Sequence, residues 1–483
     1  MPKQHNALFR TLPSMNAVLD ALADTTDKRT AALCASLPRP LLRESIEDFL
    51  DGYRAAIASG AVNTAQELAL PALLPRITAH VMTSSRPHLR RVLNATGVII
   101  HTNLGRSPLA PEAVEAVREA AATYSNLEFD LDTGSRGSRY SHVESLICRL
   151  TGAEAALVVN NNAAAVLLTL DTLCKNREVI VSRGELVEIG GSFRIPEVME
   201  KSGCLLKEVG ATNRTHLKDY VAAVNENTAA LMKVHTSNFR IIGFTSEVSR
   251  EELAGLARER GLPLIEDLGS GTLFDFTAVG LRNLAEDPTV ARALAAGVDV
   301  VTFSGDKVLG GPQAGLIAGK AELVSHIKMN PLTRALRIDK LTLAALEATL
   351  RLYCDPALAA RRIPTLRMIC AGEDEIQPRA RRLAGLLKKR LAPFAPAIAV
   401  RQGVSHVGGG AFPGHGLPTW LVGLTLPGHT PGYTLDELRM ALLKTDPPVA
   451  VRIEEDEIRL DPRTLDDSEF TMLAEAFEQA LYT

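Results

Sequence analysis

The sequence predicts an α/β protein: a mostly parallel β-sheet with helices on both faces, a helical unit before it and a small α+β domain after it. Three observations predict this. Between about residues 90 and 350, short apolar runs such as AALVVN, EVIVSR, AALMKVHT and DVVTFSG alternate with stretches of helical length such as AAAVLLTLDTLC and SREELAGLARERG. A strand buried on both faces needs an unbroken apolar run, and helices between such runs are the crossovers that make neighbouring strands parallel. Outside that region the pattern changes. Apolar positions recur at three-and-four spacing before residue 88, and after residue 350 a basic helical segment leads into a few more apolar runs.

The organisation follows from those shifts. Residues 1–88 form a helical N-terminal domain, with helices expected over SMNAVLDALAD, LLRESIEDFLDGYRAAI and TAQELALPALLPRITAHVM. Residues 89–350 form the large α/β domain. Residues 351–483 form the small α+β domain, with ARRIPTLRMIC to RARRLAGLLKKRLA as helix, AIAVRQGV, TWLVGLTL and VAVRIEEDEIRL as extended runs, and EFTMLAEAFEQAL as a last helix.

Composition excludes several classes. The formal net charge is -3, so no global basic field draws the chain to nucleic acid, and any RNA site must be local. The six cysteines are scattered with no C-x-x-C pair, which argues against a disulfide framework or a zinc site and for a reducing compartment. The eleven histidines form no metal-ligand cluster, so no metal is expected. No run approaches the ~18 apolar residues of a membrane span, and the N-terminus lacks the apolar core of a signal peptide. A cytoplasmic protein is expected.

In open α/β sheets ligands gather at the C-terminal ends of the strands, so chemistry is sought just after the apolar runs. Lys307 is the leading candidate. It lies in DVVTFSGDKVLGGPQAG, where a strand runs through Ser304 and Asp306 into a glycine-rich turn. Lysine forms Schiff bases with carbonyl cofactors. A lone loop lysine is more often simply solvated, and it is the context that favours chemistry here. Asp267, in PLIEDLGSGTL, ends another strand one crossover earlier; a carboxylate there suits a protonated pyridine nitrogen, although an aspartate at such a place is often a turn or cap residue. Asn162 and Ala163, in a small-residue run that opens a helix, suit a phosphate at a helix N-terminus, with simple N-capping by Asn162 as the plain alternative. Arg106, Arg334 and Arg337 could grip an oxyanion if Arg334 and Arg337 share one helical turn; judged without further context, surface arginines are the commoner case. His235, Ser237 and Asn238 follow a strand and could line the same pocket. Gly408, Gly409 and Gly410 read as a loop, and the basic run around Arg381 and Lys388 as a solvated helix face.

The long segments VLNATGVIIHTNLGRSPL, GELVEIGGSFRIPEVMEKSGCLLKEVGATNRTH, KVHTSNFRIIGFT, EDLGSGTL, TFSGDKVLGGPQAGLIAGK and NPLTRALRIDKLTLAALEATLRLY resemble bacterial selenocysteine synthases, the L-seryl-tRNA(Sec) selenium transferases. The resemblance implies the aspartate-aminotransferase-like fold type I. It also implies pyridoxal 5'-phosphate on Lys307 and a supporting acidic neighbour at Asp306. Arg106, Arg334 and Arg337 match the family arginines that hold the phosphate of selenophosphate. It further implies that the N-terminal helices bind the selenocysteine tRNA, and that the enzyme is a ring-shaped homodecamer of dimers with active sites between subunits. With Lys307, the residues expected around the cofactor are Asp267, Asn162, Ala163 and Ser304. Two other readings compete. A related pyridoxal-phosphate ammonia-lyase acting on an amino-sugar acid would share the core without needing the N-terminal helices. A non-catalytic RNA-binding scaffold would not need Lys307 and Asp267.

Overall fold

A computed structural model describes residues 2–25, 27–189, 193–284, 288–427 and 434–482. The chain divides into two compact units, Met1–Arg91 and Val92–Thr483.

The first unit holds helices α1 (Pro2–Thr11), α2 (Met15–Ala23), α3 (Lys28–Ser36), α4 (Arg39–Ala58) and α5 (Leu70–Ser84). The three expected helices are α2, α4 and α5. Leu42, Ile46 and Leu50 recur every four residues along α4, as do Leu73, Ile77 and Val81 along α5, so each set makes one apolar stripe. The stripes close on Val18 and Leu22 of α2 to form the unit's own core. Helices α1 and α3 were not read beforehand.

In the second unit the strands of three or more residues are β1 (Val98–Ile100), β2 (Ala155–Val159), β3 (Glu178–Ser182), β4 (Leu205–Val209), β5 (Thr228–Val234), β6 (Leu264–Gly269), β7 (Val300–Ser304), β8 (Gly315–Gly319), β9 (Ala397–Gly408), β10 (Ala411–Thr425), β11 (Arg452–Glu454) and β12 (Glu457–Leu460). Seven of them form the large sheet in the order β2-β8-β7-β6-β5-β3-β4. All its pairings are parallel except those of β8, which runs antiparallel to β7 and β2. The reversal has a local cause. Only a short loop joins β7 to β8, too short for a helical crossover, so the chain must turn straight back.

Alternate residues of these strands enter different cores. Val158, Leu231, Leu264, Val301 and Leu316 pack on one face, while Leu157, Val159, Met232, Ile265, Val300 and Ile317 pack on the other. Burial of each such side chain stabilises the fold by about 1.5–3 kcal/mol. This double burial is why the strands read as unbroken apolar runs. Helix α6 (Asn162–Leu173) covers the second face through Ala164, Ala165 and Leu168.

The second sheet runs β11-β12-β10-β9-β1. Its outer strand β1 comes from the start of the unit and lies parallel to β9, while Leu93–Asn94 pairs with Val449–Ala450. The segment after Arg91 therefore builds the C-terminal sheet, far from its sequence neighbours, before the chain enters the large sheet. Gly408, Gly409 and Gly410 all have positive φ and make the turn between β9 and β10, a conformation that glycine adopts without steric cost. Among the described residues, no helix is long and apolar enough to cross a membrane.

Candidate functional site

Asp267 and Thr302 lie directly opposite each other on the paired strands β6 and β7. The register slips by one residue between Asp267 and Gly269, so β6 carries a bulge immediately after the aspartate. Gly269, at φ +65°, then turns its amide back on the carboxylate. Three donors meet on one oxygen of Asp267: Asn162 Nδ2 at 2.9 Å, Thr302 Oγ1 at 3.0 Å and the Gly269 amide at 3.2 Å, all on Oδ1. Among the described residues Oδ2 receives no hydrogen bond, which leaves that oxygen for a guest. Burial pushes the Asp267 carboxyl up, against the pull of these donors and of the Lys307 charge.

Lys307 lies in the loop between β7 and β8 and is 7% exposed. Burial holds its amine below the usual lysine value, although the Asp267 and Asp306 charges act in the opposite direction. A lysine whose burial favours the neutral amine is the better nucleophile and base for it. Its backbone is pinned from two sides. Ser107 Oγ donates to the Lys307 carbonyl at 2.6 Å, and the Val308 amide donates to the Ser270 carbonyl at 3.2 Å. The β6 and β7 end loops touch closely: a Cβ on Gly271 would stand 2.0 Å from the Ser304 carbonyl oxygen, so only glycine fits there. Ser304 itself is buried at the end of β7.

The plain reading of Asn162 as an N-cap is corrected by the structure. Asn161 is the cap, its side chain accepting from the Ala164 amide at 2.9 Å. That leaves Asn162 free to reach Asp267. The first-turn amides of Asn162 and Ala163 have no carbonyl four residues back to bond, as at any helix start, so they remain suited to an anion.

Arg106 sits in the loop after β1 with φ +64° and donates to Asp306 Oδ2 at 2.5 Å. Its neighbour Ser107 is the residue on the Lys307 carbonyl, and the Ser107 amide donates to the Asp306 carbonyl at 3.4 Å, so this loop is stitched to the lysine loop three times. The condition set for Arg334 and Arg337 fails: helix α7 (Leu332–Ala335) ends before Arg337, whose backbone instead bridges Val159 at the end of β2. Both side chains are exposed. Among the described residues no hydrogen bond or ion pair joins either of them to Arg106. The structure thus brings Asn162, Asp267, Lys307, Asp306 and Arg106 together, and leaves Arg334 and Arg337 outside that network. Thr302 and Ser107 belong to it and were not singled out from sequence. A hydroxyl in the otherwise apolar run DVVTF was the available signal for Thr302, but threonine is common in strands.

Asn162 Oδ1 and Ser237 Oγ, both beside Asp267 and Gly269, are among the buried polar atoms that have no hydrogen-bond partner among the described residues. Asn162 belongs to the Asp267 clamp, and Ser237 Oγ stands 3.5 Å from where a Gly269 Cβ would be. Buried polar atoms left unpaired are costly, so a polar guest fits here. Amine, free carboxylate oxygen and helix start together fit a cofactor with an aldehyde, a ring nitrogen and a phosphate.

The family model described as L-seryl-tRNA selenium transferase matches residues 92–466, and one described as selenocysteine synthase N terminal matches residues 9–54. The chain belongs to the L-seryl-tRNA selenium transferase family. A family protein named L-seryl-tRNA(Sec) selenium transferase, from Nitratidesulfovibrio vulgaris, is 60% identical over 476 residues, 99% of each chain. One of the same name from Geobacter metallireducens is 50% identical, covering 97% of this chain and 98% of its own. Among solved structures, D-glucosaminate-6-phosphate ammonia-lyase superposes with a TM-score of 0.57 at 21% identity, covering 82% of this chain and 96% of its own. At that identity the likeness is one of fold, and the fold is the type I architecture that the family resemblance implied.

Proposed function

We propose that the chain, with pyridoxal 5'-phosphate bound, converts L-seryl-tRNA(Sec) to L-selenocysteinyl-tRNA(Sec), replacing the serine β-hydroxyl with selenium from selenophosphate. The observation that carries this reading is the meeting of a buried lysine amine and a buried, one-sidedly clamped carboxylate at adjacent strand ends, in a chain of this family. When bound, the cofactor supplies an aldehyde for the substrate amine and a protonated ring that accepts electrons from the serine α-carbon.

The protein's own residues do the rest. Lys307 would hold the cofactor, and its amine, once free, takes the proton from the serine α-carbon. The same amine then returns that proton to the departing β-hydroxyl, which leaves as water. Asp267 keeps the ring nitrogen protonated through Oδ2. The Asn162 and Ala163 amides hold the cofactor phosphate, beside Ser304. Arg106, oriented by Asp306, binds the phosphate of selenophosphate together with Arg334 and Arg337. Selenium bonds to the β-carbon as its bond to phosphorus breaks; water takes the phosphoryl group, and the proton that this water releases returns through the Lys307 amine to the α-carbon. The helices of residues 1–88 bind the tRNA. Assembly as a homodecamer of dimers would let a neighbouring subunit complete a site open enough for a tRNA end, and an aminoacyl-tRNA substrate puts the work in the cytoplasm.

The test is direct. The purified full-length protein should be yellow and should retain selenocysteine tRNA over serine tRNA. A colourless protein, or a yellow one indifferent to tRNA, would overturn the reading.

A further inference from the structure

We infer that Thr302 is a positioning residue for the cofactor: its hydroxyl, with the Asn162 amide, selects which oxygen of Asp267 meets the ring nitrogen. The inference rests on the pyridoxal-phosphate reading of the site and adds a residue to it.

The case is geometric. Thr302 is fully buried, in a strand whose neighbours Val300, Val301 and Phe303 are all apolar and buried. The fold asks of that position only a β-branched side chain, and valine would meet that need. A hydroxyl there is costly unless it is paired. Its partner is Asp267 Oδ1 at 3.0 Å, on the residue directly opposite in register. Asn162 reaches the same oxygen from the start of α6, and the bulge after Asp267 brings the Gly269 amide to it as a third donor. With three donors on Oδ1 the carboxylate cannot rotate about its Cβ–Cγ bond without breaking all three. The donors also favour the ionised form, which burial alone would suppress. The free Oδ2 is therefore presented in one orientation. Lys307 lies five residues beyond Thr302 in the same strand-and-loop segment, so the residue that aims Asp267 and the residue that holds the cofactor are set by one stretch of chain.

The experiment uses the full-length protein and its cofactor. Thr302→Val removes the hydroxyl at nearly constant volume. Thr302→Ser keeps the hydroxyl without the methyl, and Thr302→Ala removes both, so the serine–alanine pair isolates the hydroxyl should the valine variant fold poorly. The readouts are the apparent Kd for pyridoxal phosphate and the pH titration of its visible absorption. Loss of a hydrogen bond to a charged group is worth about ten- to a hundred-fold. The valine and alanine variants should bind the cofactor weaker by about that factor and show a displaced titration, with the serine variant close to native. Native-like Kd and titration in the valine and alanine variants would overturn the inference, as would a serine variant no better than alanine. If the native protein itself took up no pyridoxal phosphate, the functional reading would fall and this inference with it.

Discussion

The Arg106 guanidinium donates from Nη1 to Asp306 Oδ2 at 2.5 Å, joining a loop at the edge of the C-terminal sheet to the residue before Lys307. The pair lies partly buried, with the arginine side chain 34% and the aspartate 10% exposed. Only one guanidinium nitrogen is used, so the others stay available for an oxyanion. Arg106 and Asp306 should therefore behave as one unit toward selenophosphate. Arg106→Ala and Asp306→Asn are each expected to raise the KM for the donor, and the double variant should lose less than the sum, with a coupling of about 0.5–3 kcal/mol. Strictly additive losses would show that the ion pair plays no part in donor binding.

Arg334 makes a different prediction because it is exposed and outside that pair. Arg334→Ala should leave loss of the serine β-hydroxyl nearly intact while selenium transfer falls by about ten-fold or more. Arg334→Lys should recover little, since a lysine cannot reproduce a bidentate grip. Rapid-mix assays that follow the two steps separately decide it, and equal loss in both would remove Arg334 from donor binding.

Lys307 links function to stability. Lys307→Ala should abolish both the visible absorption of the bound cofactor and turnover. In the cofactor-free protein, burial holds the folded-state amine below its usual value. Between that lowered value and about 10.4, the unfolded chain binds the extra proton. The contribution of this residue to stability therefore rises with pH across that window and is absent below it. Lys307→Met should remove this slope and raise stability near neutral pH by roughly 1 kcal/mol, since the buried polar group is gone. Denaturant unfolding of the cofactor-free protein at several pH values measures both effects; an unchanged slope would count against a buried, depressed amine.

Asn161 and Asn162 are adjacent, yet should separate cleanly. Asn161→Ala removes the α6 cap and should cost about 1 kcal/mol of stability, with a smaller effect on cofactor affinity. Asn162→Ala should do the reverse, weakening the cofactor with little loss of stability. Thermal unfolding and cofactor titration on the two variants settle the division, and exchanged phenotypes would refute it.

Much of this was legible beforehand because each feature has a local cause. Apolar runs bounded by turns gave five of the seven strands of the large sheet, all but β4 and β8, and a four-residue repeat gave α2, α4 and α5. Lys307 and Asp267 stood out because each follows such a run. Other features have no local cause. The capping role of Asn161 rather than Asn162 depends on one backbone angle at the helix start. The separation of Arg334 from Arg337 depends on where a one-turn helix stops, and sequence spacing alone does not mark that.

The sequence by itself determined the architecture, the family, and the lysine and carboxylate on which the chemistry rests, since periodicity and residue type are properties of short stretches of chain. Tertiary structure alone decided that Thr302 faces Asp267, that Arg106 meets Asp306 across 200 positions, and that β1 pairs with β9. Strand register, a single bulged residue and the return of a distant loop set those contacts, and they are fixed only when the whole sheet packs.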